Sequence, residues 1–575
     1  MYKYKVESIN FKNGTKIPLG RINVLVGANN CGKTQVLKDI SAIISGENVN
    51  RILVDDLDEQ IPSSFEDLTN AFKLNIHNTN GREDLIHLNH KMEQSVTTIS
   101  GSNIKEEIKK HIAGNKQYFH SLMGPGILTY LSTENRLTLS RSCTTNDPLT
   151  HGPRGLLDTL FVSGNNAIDI VRKIVKEIFN KDVYLDCTGL GQLKIRFGNN
   201  FSNIPENIID ASPELAKYQL LDNQGDGIRS IVGIISALVA IKRPVILIDE
   251  PEAFLHPPQA LQLGQCISKL IDKDQQIFIA SHSADFLRGL LSSTKDAVII
   301  HMDRSTNDEM DINILDSDML NNIIHDPLLS SSRVLEGMFY KGVVATEGDA
   351  DAVFYQRAFQ KIGASEEIHF VNAHNKQTLR KIVEPYKNLG IKYAMISDFD
   401  VFRDLYEFRQ IISICNNDEI INNILQKRTK LCENIESQNN FEKLKKLKEN
   451  LMLLASKEIP ENANIASELY DLRRQLKNLR DDSDNFSEFK KNGYKAFPEE
   501  IQNIFFDMYN ECISIGLFLV KTGELESLLT DYGIESSNNK SKWIINALEK
   551  LFDITPDKNK ELWKFIYELK DYLIN

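Results

Sequence analysis

The chain has 575 residues, 41% of them hydrophobic and 25% charged, with a formal net charge of −12. That length is too great for one hydrophobic core and predicts about three or four structural units, while the composition is that of a soluble globular protein with no apolar run near the ~18 residues that span a bilayer. An acidic total does not suit a protein that coats nucleic acid, though it leaves room for a local basic channel, and seven cysteines without a C-x-x-C argue for a reducing cytoplasm and against a zinc site.

The N-terminus, Met-Tyr-Lys-Tyr-Lys-Val, has no apolar h-region, so secretion is not expected. Tyr4 to Ile9 and Arg21 to Val26 read as strands. The second leads into Gly27-Ala-Asn-Asn-Cys-Gly-Lys-Thr34, the G-x-x-x-x-G-K-[ST] phosphate loop. Its glycines, Gly27 and Gly32, with Asn30 between them, let backbone N–H groups close around phosphate. Lys33 reaches the β/γ oxygens, and the Thr34 hydroxyl suits Mg²⁺. The helix that follows aims its positive end at the anion. Residues 46–125 are polar and irregular and read as an insertion of solvated loops, with a short amphipathic helix over Gly101 to Ile112.

Ile127 to Ser132 is a predicted strand, and the turn Thr133-Glu-Asn-Arg136 at its end is a candidate to face the nucleotide. Ala167 to Phe179 is amphipathic helix, and Val183 to Phe197 a hairpin around Gly189-Leu-Gly191. Next comes Leu221-Asp-Asn-Gln-Gly-Asp-Gly-Ile-Arg-Ser230, with Gly225 and Gly227 at the start of an apolar helix. By itself this Gly-x-Gly is more often a helix cap.

Val245 to Ile248 is a strand buried on both faces, ending in Asp249 and Glu250. Acids at the carboxyl end of a central parallel strand lie where open α/β sheets bind ligands. One can hold Mg²⁺ and the next polarise the attacking water. Gln276 to Ala280 is a further buried strand, and His282 at its end is placed to sense a γ-phosphate. Ala297 to Met302 reads as the last strand of this unit, and the Asp- and Asn-rich residues 303–330 as a linker.

The order phosphate loop, Gly-x-Gly, Asp-Glu, His resembles the ABC-like ATPase heads of the SMC/RecF group. The resemblance implies ATP as cofactor, and Gly225 and Gly227 as a signature segment closing over the γ-phosphate of another subunit. It therefore implies a homodimer or higher oligomer. The segment departs from the usual Ser-Gly-Gly form, having Gln224 where Ser is common.

A second unit is expected from residue 331, opening with Leu335 to Tyr340. Val343 to Thr346 is a strand that ends in Glu347 and turns at Gly348 into a helix carrying Asp351. His369 to Ala373 is a strand, and Lys392 to Ser397 another, ending in Asp398-Phe-Asp400. Alternation along a strand puts Asp398 and Asp400 on one face. Glu347 with this pair gives three hard oxygen donors, which suits Mg²⁺ or Mn²⁺, with Ca²⁺ a further candidate. Leu517 to Val520 is a strand followed by Glu524 and Glu526 at a helix start, where acids also complement the helix dipole. Lys540 and Lys542 follow. Residues 403–500 are charged and helix-prone; Asn440 to Leu453 and Ala466 to Arg480 fit a helical hairpin inserted in this unit, broken at Asp481 to Asn485.

Glu-Gly-x-x-Asp followed by Asp-x-Asp resembles the Toprim domain of topoisomerases, primases and OLD (overcoming lysogenization defect) nucleases. The Asp249-Glu-Pro-Glu-x-x-Leu-His-Pro257 form and the head-plus-Toprim order are similar to the OLD family. The resemblance implies an α/β chain: an ATPase domain over 1–330 and a Toprim nuclease domain over 331–575. It implies metal ligands at Glu347, Asp351, Asp398, Asp400, Glu524 and Glu526, and a catalytic lysine, with Lys542 taken for the role and Lys540 open. It also implies DNA as substrate, a part in defence against phage, and a partner such as a helicase-like protein or a retron reverse transcriptase with its DNA–RNA product. The competing reading is an ATP-switched DNA clamp with a silent Toprim site.

Overall fold

Three runs rich in β-branched residues, Ile22–Val26, Val245–Asp249 and Gln276–Ala280, are buried at every position. Such runs have no solvent face to alternate toward, which is what a parallel sheet covered on both sides requires. In the computed structural model they form the middle of a six-stranded sheet. Its order is Met310–Leu315, Ala297–Arg304, Ile22–Val26, Gln276–Ala280, Val245–Asp249, Leu128–Leu131. Every pair is parallel except the outermost, where Met310–Leu315 runs antiparallel to Ala297–Arg304. The structure describes residues 4–64, 66–68, 76–79, 82–89, 94–99, 116–145, 147–294, 296–304, 310–315, 319–320, 323, 325–437, 440–457, 464–483, 485–534 and 540–574.

The chain divides into two units, Met1–Phe339 and Tyr340–Asn575. Within the first, the stretch expected to be a linker contributes the antiparallel edge strand Met310–Leu315 instead. Its Asp and Asn residues obscured an alternation that pairs Ile312 with Met302 and Ile314 with Ile300. Ser332–Glu336 and the turn Gly337–Phe339, expected to open the second unit, belong to the first.

The polar stretch after residue 46 is also more ordered than expected. Val54–Glu59 pairs antiparallel with Val6–Phe11, burying Val54 and Leu57 and turning Asp55 and Asp56 outward. Ile76–Thr79, Arg82–Leu88 and Gln94–Ile99 form a separate antiparallel sheet. The helix expected over Gly101 to Ile112 lies outside the described residues. The hairpin forms as Asp182–Asp186 against Gln192–Gly198.

The second unit is built on a four-stranded parallel sheet, in the order Ile368–Asn372, Gly342–Thr346, Lys392–Ser397, Leu517–Leu519. The first three of these strands are followed by the turns that carry Glu347, His374 and Asp398, so these groups gather at one sheet end. The insertion contains the helices Leu405–Ile412, Asp418–Ser437, Asn440–Ala455, Ile465–Ser483 and Asn485–Asn492. The helix ending at Ser483 runs through Asp481 and Asp482, where a break was expected. No helix among the described residues is long and apolar enough to cross a membrane.

Candidate functional site

The phosphate loop leaves the carboxyl end of Ile22–Val26 and enters the helix Lys33–Ile44 through Gly32 in a left-handed conformation. Gly27 is required by packing as well as by dihedral angle: its φ is 144°, and a Cβ would lie 2.1 Å from the Met302 carbonyl oxygen. Asn30 is left-handed too, at φ 64°, as its short polar side chain tolerates. Lys33 is folded back on the loop, its Nζ donating to the carbonyls of Gly27 and Ala28 at 2.9 Å each. Thr34 Oγ1 donates to Asp249 Oδ1 at 2.9 Å. Burial, with the charge of Glu250 beside it, raises the pKa of Asp249.

Glu250 follows at φ 46°, rare for a residue with a Cβ, and its N–H donates to the Ala280 carbonyl at 2.8 Å. Its carboxylate lies 3.6 Å from Nδ1 of His282. Asp249, Glu250 and His282 thus come together with Thr34 and Lys33 at the carboxyl ends of three neighbouring strands. Gly225 and Gly227 start the helix Asp226–Ala240. They differ in setting: a Cβ at Gly225 would meet nothing within 4 Å, whereas one at Gly227 would lie 2.6 Å from the Phe254 carbonyl.

Glu252 was not singled out in the sequence, and Arg136 only as the end of the turn Thr133-Glu-Asn-Arg136. Glu252 is buried; its Oε1 accepts the Ser281 hydroxyl and the His282 N–H, both at 2.8 Å, while Oε2 has no hydrogen-bond partner among the described residues. Burial raises its pKa. Its signal was its place in Asp-Glu-Pro-Glu, two residues past Glu250. Arg136 is fully buried and donates to the backbone carbonyls of Asp249 and Glu250. The turn expected to face the nucleotide holds the acidic turn by its backbone.

In the second unit Glu347 and Asp398 meet across neighbouring strand ends. Glu347 Oε1 accepts the Ser397 hydroxyl at 2.6 Å and the Asp398 N–H at 3.3 Å. Burial raises the Glu347 pKa, and the charge of Asp400 adds to it. Strand alternation does not arrange Asp398 and Asp400: the strand ends at Ser397, and Asp400 lies in the 3-10 turn Phe399–Phe402. Asp400 forms ion pairs with Lys376 and, at 3.9 Å, with Lys490. Glu524 accepts the Ser527 N–H, capping its own helix, and lies 3.6 Å from Lys490. Glu526 is buried. Glu347, Asp351, His374 and Lys376 line one cleft of about 490 Å³.

The buried hydroxyl of Tyr355 has no hydrogen-bond partner among the described residues, and the charges of Asp398, Asp351, Glu526 and Glu347 raise its pKa further after burial. Lys540 opens the helix Lys540–Asp553, but the side chains of Lys540 and Lys542 lie outside the described residues. The ammonium groups found at the acids are Lys376 and Lys490. Lys490 comes from the last helix of the insertion, whose Phe489 is buried and stacks on Phe399, the residue between Asp398 and Asp400, at 6.4 Å. A charged helical arm gave no signal for it.

Whether these residues fit a divalent ion rests on donor chemistry. All are hard carboxylate oxygens, and two ammonium groups now balance Asp400 and Glu524, as a cation would. Among the described residues, no three carboxylates, histidines or cysteines are already closed to ligand distance. The set fits an ion that draws the acids together.

Residues 159–287 match the AAA ATPase domain family, and residues 338–400 match the Toprim domain of overcoming lysogenization defect-like proteins. The OLD nuclease of Thermus scotoductus is 28% identical over 197 residues, which cover 32% of this chain and 36% of that protein. The match thus spans about a third of the relative. Among solved structures, the SMC head domain from Thermotoga maritima is 12% identical, with 55% of this chain and 98% of that one covered and a TM-score of 0.27. The Pyrococcus furiosus Smc head domain with an extended coiled coil, bound to the C-terminal domain of ScpA, is 12% identical, with coverage of 56% and 98% and a TM-score of 0.33. An ATPase domain followed by a Toprim domain implies use of a nucleotide and of a divalent metal.

Proposed function

We propose, from the premise that this chain has the ATPase–Toprim architecture of the OLD proteins, that it is an ATP-regulated, metal-dependent DNA endonuclease serving defence against phage. The observation that supports the nuclease reading is the meeting of Glu347 with Asp398 at neighbouring strand ends, where Glu347 Oε1 accepts the Asp398 N–H at 3.3 Å, beside the cleft that Glu347 and Asp351 line. A clamp that only binds DNA has no need of carboxylates gathered at adjacent strand ends.

In the ATPase unit, Lys33 leaves the carbonyls of Gly27 and Ala28 to meet phosphate charge. Thr34 and Asp249 hold Mg²⁺ with the nucleotide, and Glu250 orients water beside His282. Gly225 faces the nucleotide of a second copy, which makes the working form at least a dimer. In the Toprim unit Glu347, Asp398 and Asp400 hold one divalent ion, Mg²⁺ or Mn²⁺ with Ca²⁺ as a further candidate, and Glu526 with Glu524 and Asp351 completes a second site. Bound there, such an ion supplies Lewis-acid stabilisation of the scissile phosphate and a water of lowered pKa. Lys376 and Lys490 present positive charge to the DNA backbone; Lys542 is the further lysine for the pentacovalent phosphate. The OLD resemblance also supports a partner of the helicase-like or retron reverse-transcriptase kind.

The test is nicking of a supercoiled plasmid with Mg²⁺ or Mn²⁺, with and without ATP. Metal-dependent nicking that responds to ATP is expected. Tight ATP-dependent DNA binding with no cleavage under any metal would instead support the clamp.

A further inference from the structure

The segment from Thr133 to Ser140 is tied on two sides. On one side Arg136, fully buried, gives one amino group to the Asp249 carbonyl and the other to the Glu250 carbonyl, the latter at 2.6 Å. The Thr133 hydroxyl also donates to the Asp249 carbonyl, at 3.5 Å. On the other side, Arg229 of the helix Asp226–Ala240 donates through Nη2 to the Leu137 carbonyl at 2.6 Å. Gly233 of the same helix packs directly on the Arg136 backbone: a Cβ there would lie 2.6 Å from the Arg136 carbonyl oxygen.

Glu250 itself is held at φ 46°. A residue with a Cβ persists in that region only where its surroundings over-determine it. The Arg136 fork adds to the bond from the Glu250 N–H to the Ala280 carbonyl, since one planar guanidinium spans two consecutive carbonyls where a lysine serves as a point charge. Burial lowers the pKa of this guanidinium, and the charges of Glu252, Asp249 and Glu250 oppose that shift.

We propose that Arg136 is the positioning residue of the ATPase site: it fixes the Asp249–Glu250 turn in its left-handed form and couples that turn to the helix that begins at Gly225. A shift of that helix on meeting another subunit's nucleotide moves the Arg136 backbone through Gly233 and Leu137. The fork then moves the Glu250 carboxylate. Arg136 does not touch nucleotide; it acts through Glu250. The inference rests on Glu250 being the residue that orients water.

The experiment uses the full chain and three variants, Arg136→Met, Arg136→Lys and Gly233→Ala. For each, the affinity for a fluorescent ATP analogue, kcat and KM for phosphate release, and the melting temperature are measured. In Arg136→Met, kcat falls at least about 100-fold while analogue affinity stays within about twofold, the pattern of an interaction that acts on the transition state only. Arg136→Lys falls between it and the native chain. Gly233→Ala keeps the guanidinium but displaces its backbone, and lowers kcat about tenfold with KM unchanged. Should Arg136→Met fail to fold, the other two decide. Native kcat in the Arg136 variants overturns the inference, as does loss of analogue affinity in step with kcat, which is what a merely structural role gives. Glu250→Gln is run alongside. If it hydrolyses ATP as the native chain does, the assignment of Glu250 itself is wrong, and the inference falls for that separate reason.

Discussion

The Thr34 hydroxyl donates to Asp249 at 2.9 Å, joining the end of the phosphate loop to the end of a strand 215 residues further along the chain. This contact brings the two motifs into one site. The proposed function gives Lys33 and Glu250 separable tasks, one meeting phosphate charge and the other water. Lys33→Ala is expected to abolish nucleotide binding. Glu250→Gln is expected to keep binding and stop hydrolysis. Equilibrium binding of a labelled nucleotide and steady-state phosphate release, measured on both variants, check the division.

Gly225 and Gly227 separate in the same way. Gly225 has open space where a side chain would go, and its φ of −61° suits any residue. Gly225→Glu is therefore expected to melt with the native chain, yet to lose ATP turnover about tenfold, because its charge meets the γ-phosphate of another subunit. Native turnover should also rise with protein concentration, and that dependence should vanish in the variant. Thermal melts and turnover across a dilution series read both.

Burial raises the pKa of Glu252 in the folded chain above its unfolded value. Between those two values the folded state binds more protons than the unfolded state, so this group's contribution to stability falls as pH rises through the window. Glu252→Gln keeps an acceptor for Ser281 and His282 without the charge. The melting temperature of the native chain relative to this variant is expected to drop as pH climbs from about 4.5 toward neutrality. A difference that stays flat over that range would show that Glu252 does not titrate there.

Lys490 lies 3.6 Å from Glu524 and 3.9 Å from Asp400, half-exposed at the base of the helical arm. A partly screened cation at that range opposes a divalent ion modestly. Lys490→Met is expected to tighten Mn²⁺ binding by about two- to fivefold, read by titration calorimetry without DNA, while DNA affinity weakens. Weaker Mn²⁺ binding would mean that the lysine orders the carboxylates rather than competing for them.

What was legible in the sequence follows what each residue must do locally. Gly27, Lys33 and Thr34 sit in consecutive positions because one loop wraps one anion, so the motif carries its own geometry. Glu347 and Asp398 were legible because each ends an apolar strand. The edge strand Met310–Leu315 was not, since one face of an edge strand needs few apolar residues and Asp311 and Asn313 read as linker. The relation of Asp398 to Asp400 was not legible: a 3-10 turn, not strand alternation, sets it. Lys376, Tyr355 and Lys490 act through tertiary contacts, and nothing in their neighbours along the chain marks them; Arg136 was legible only as the end of a polar turn, not in its hold on the Asp249 and Glu250 carbonyls. Lys490 in particular reaches the acids only because Phe489 is buried against Phe399 and Phe497.

The central claim is that one chain carries two separable chemistries, ATP hydrolysis with Thr34, Asp249 and Glu250, and strand cleavage with Glu347, Asp398 and Asp400. The measurement is DNA nicking and phosphate release on the same purified Glu347→Ala and Asp398→Ala proteins. Loss of several kcal/mol of transition-state stabilisation, at tenfold in rate per 1.36 kcal/mol, corresponds to roughly a thousandfold or greater drop in cleavage. Phosphate release is expected to continue at the native rate. Undiminished nicking in Glu347→Ala would contradict the assignment and move the chemistry elsewhere in the chain.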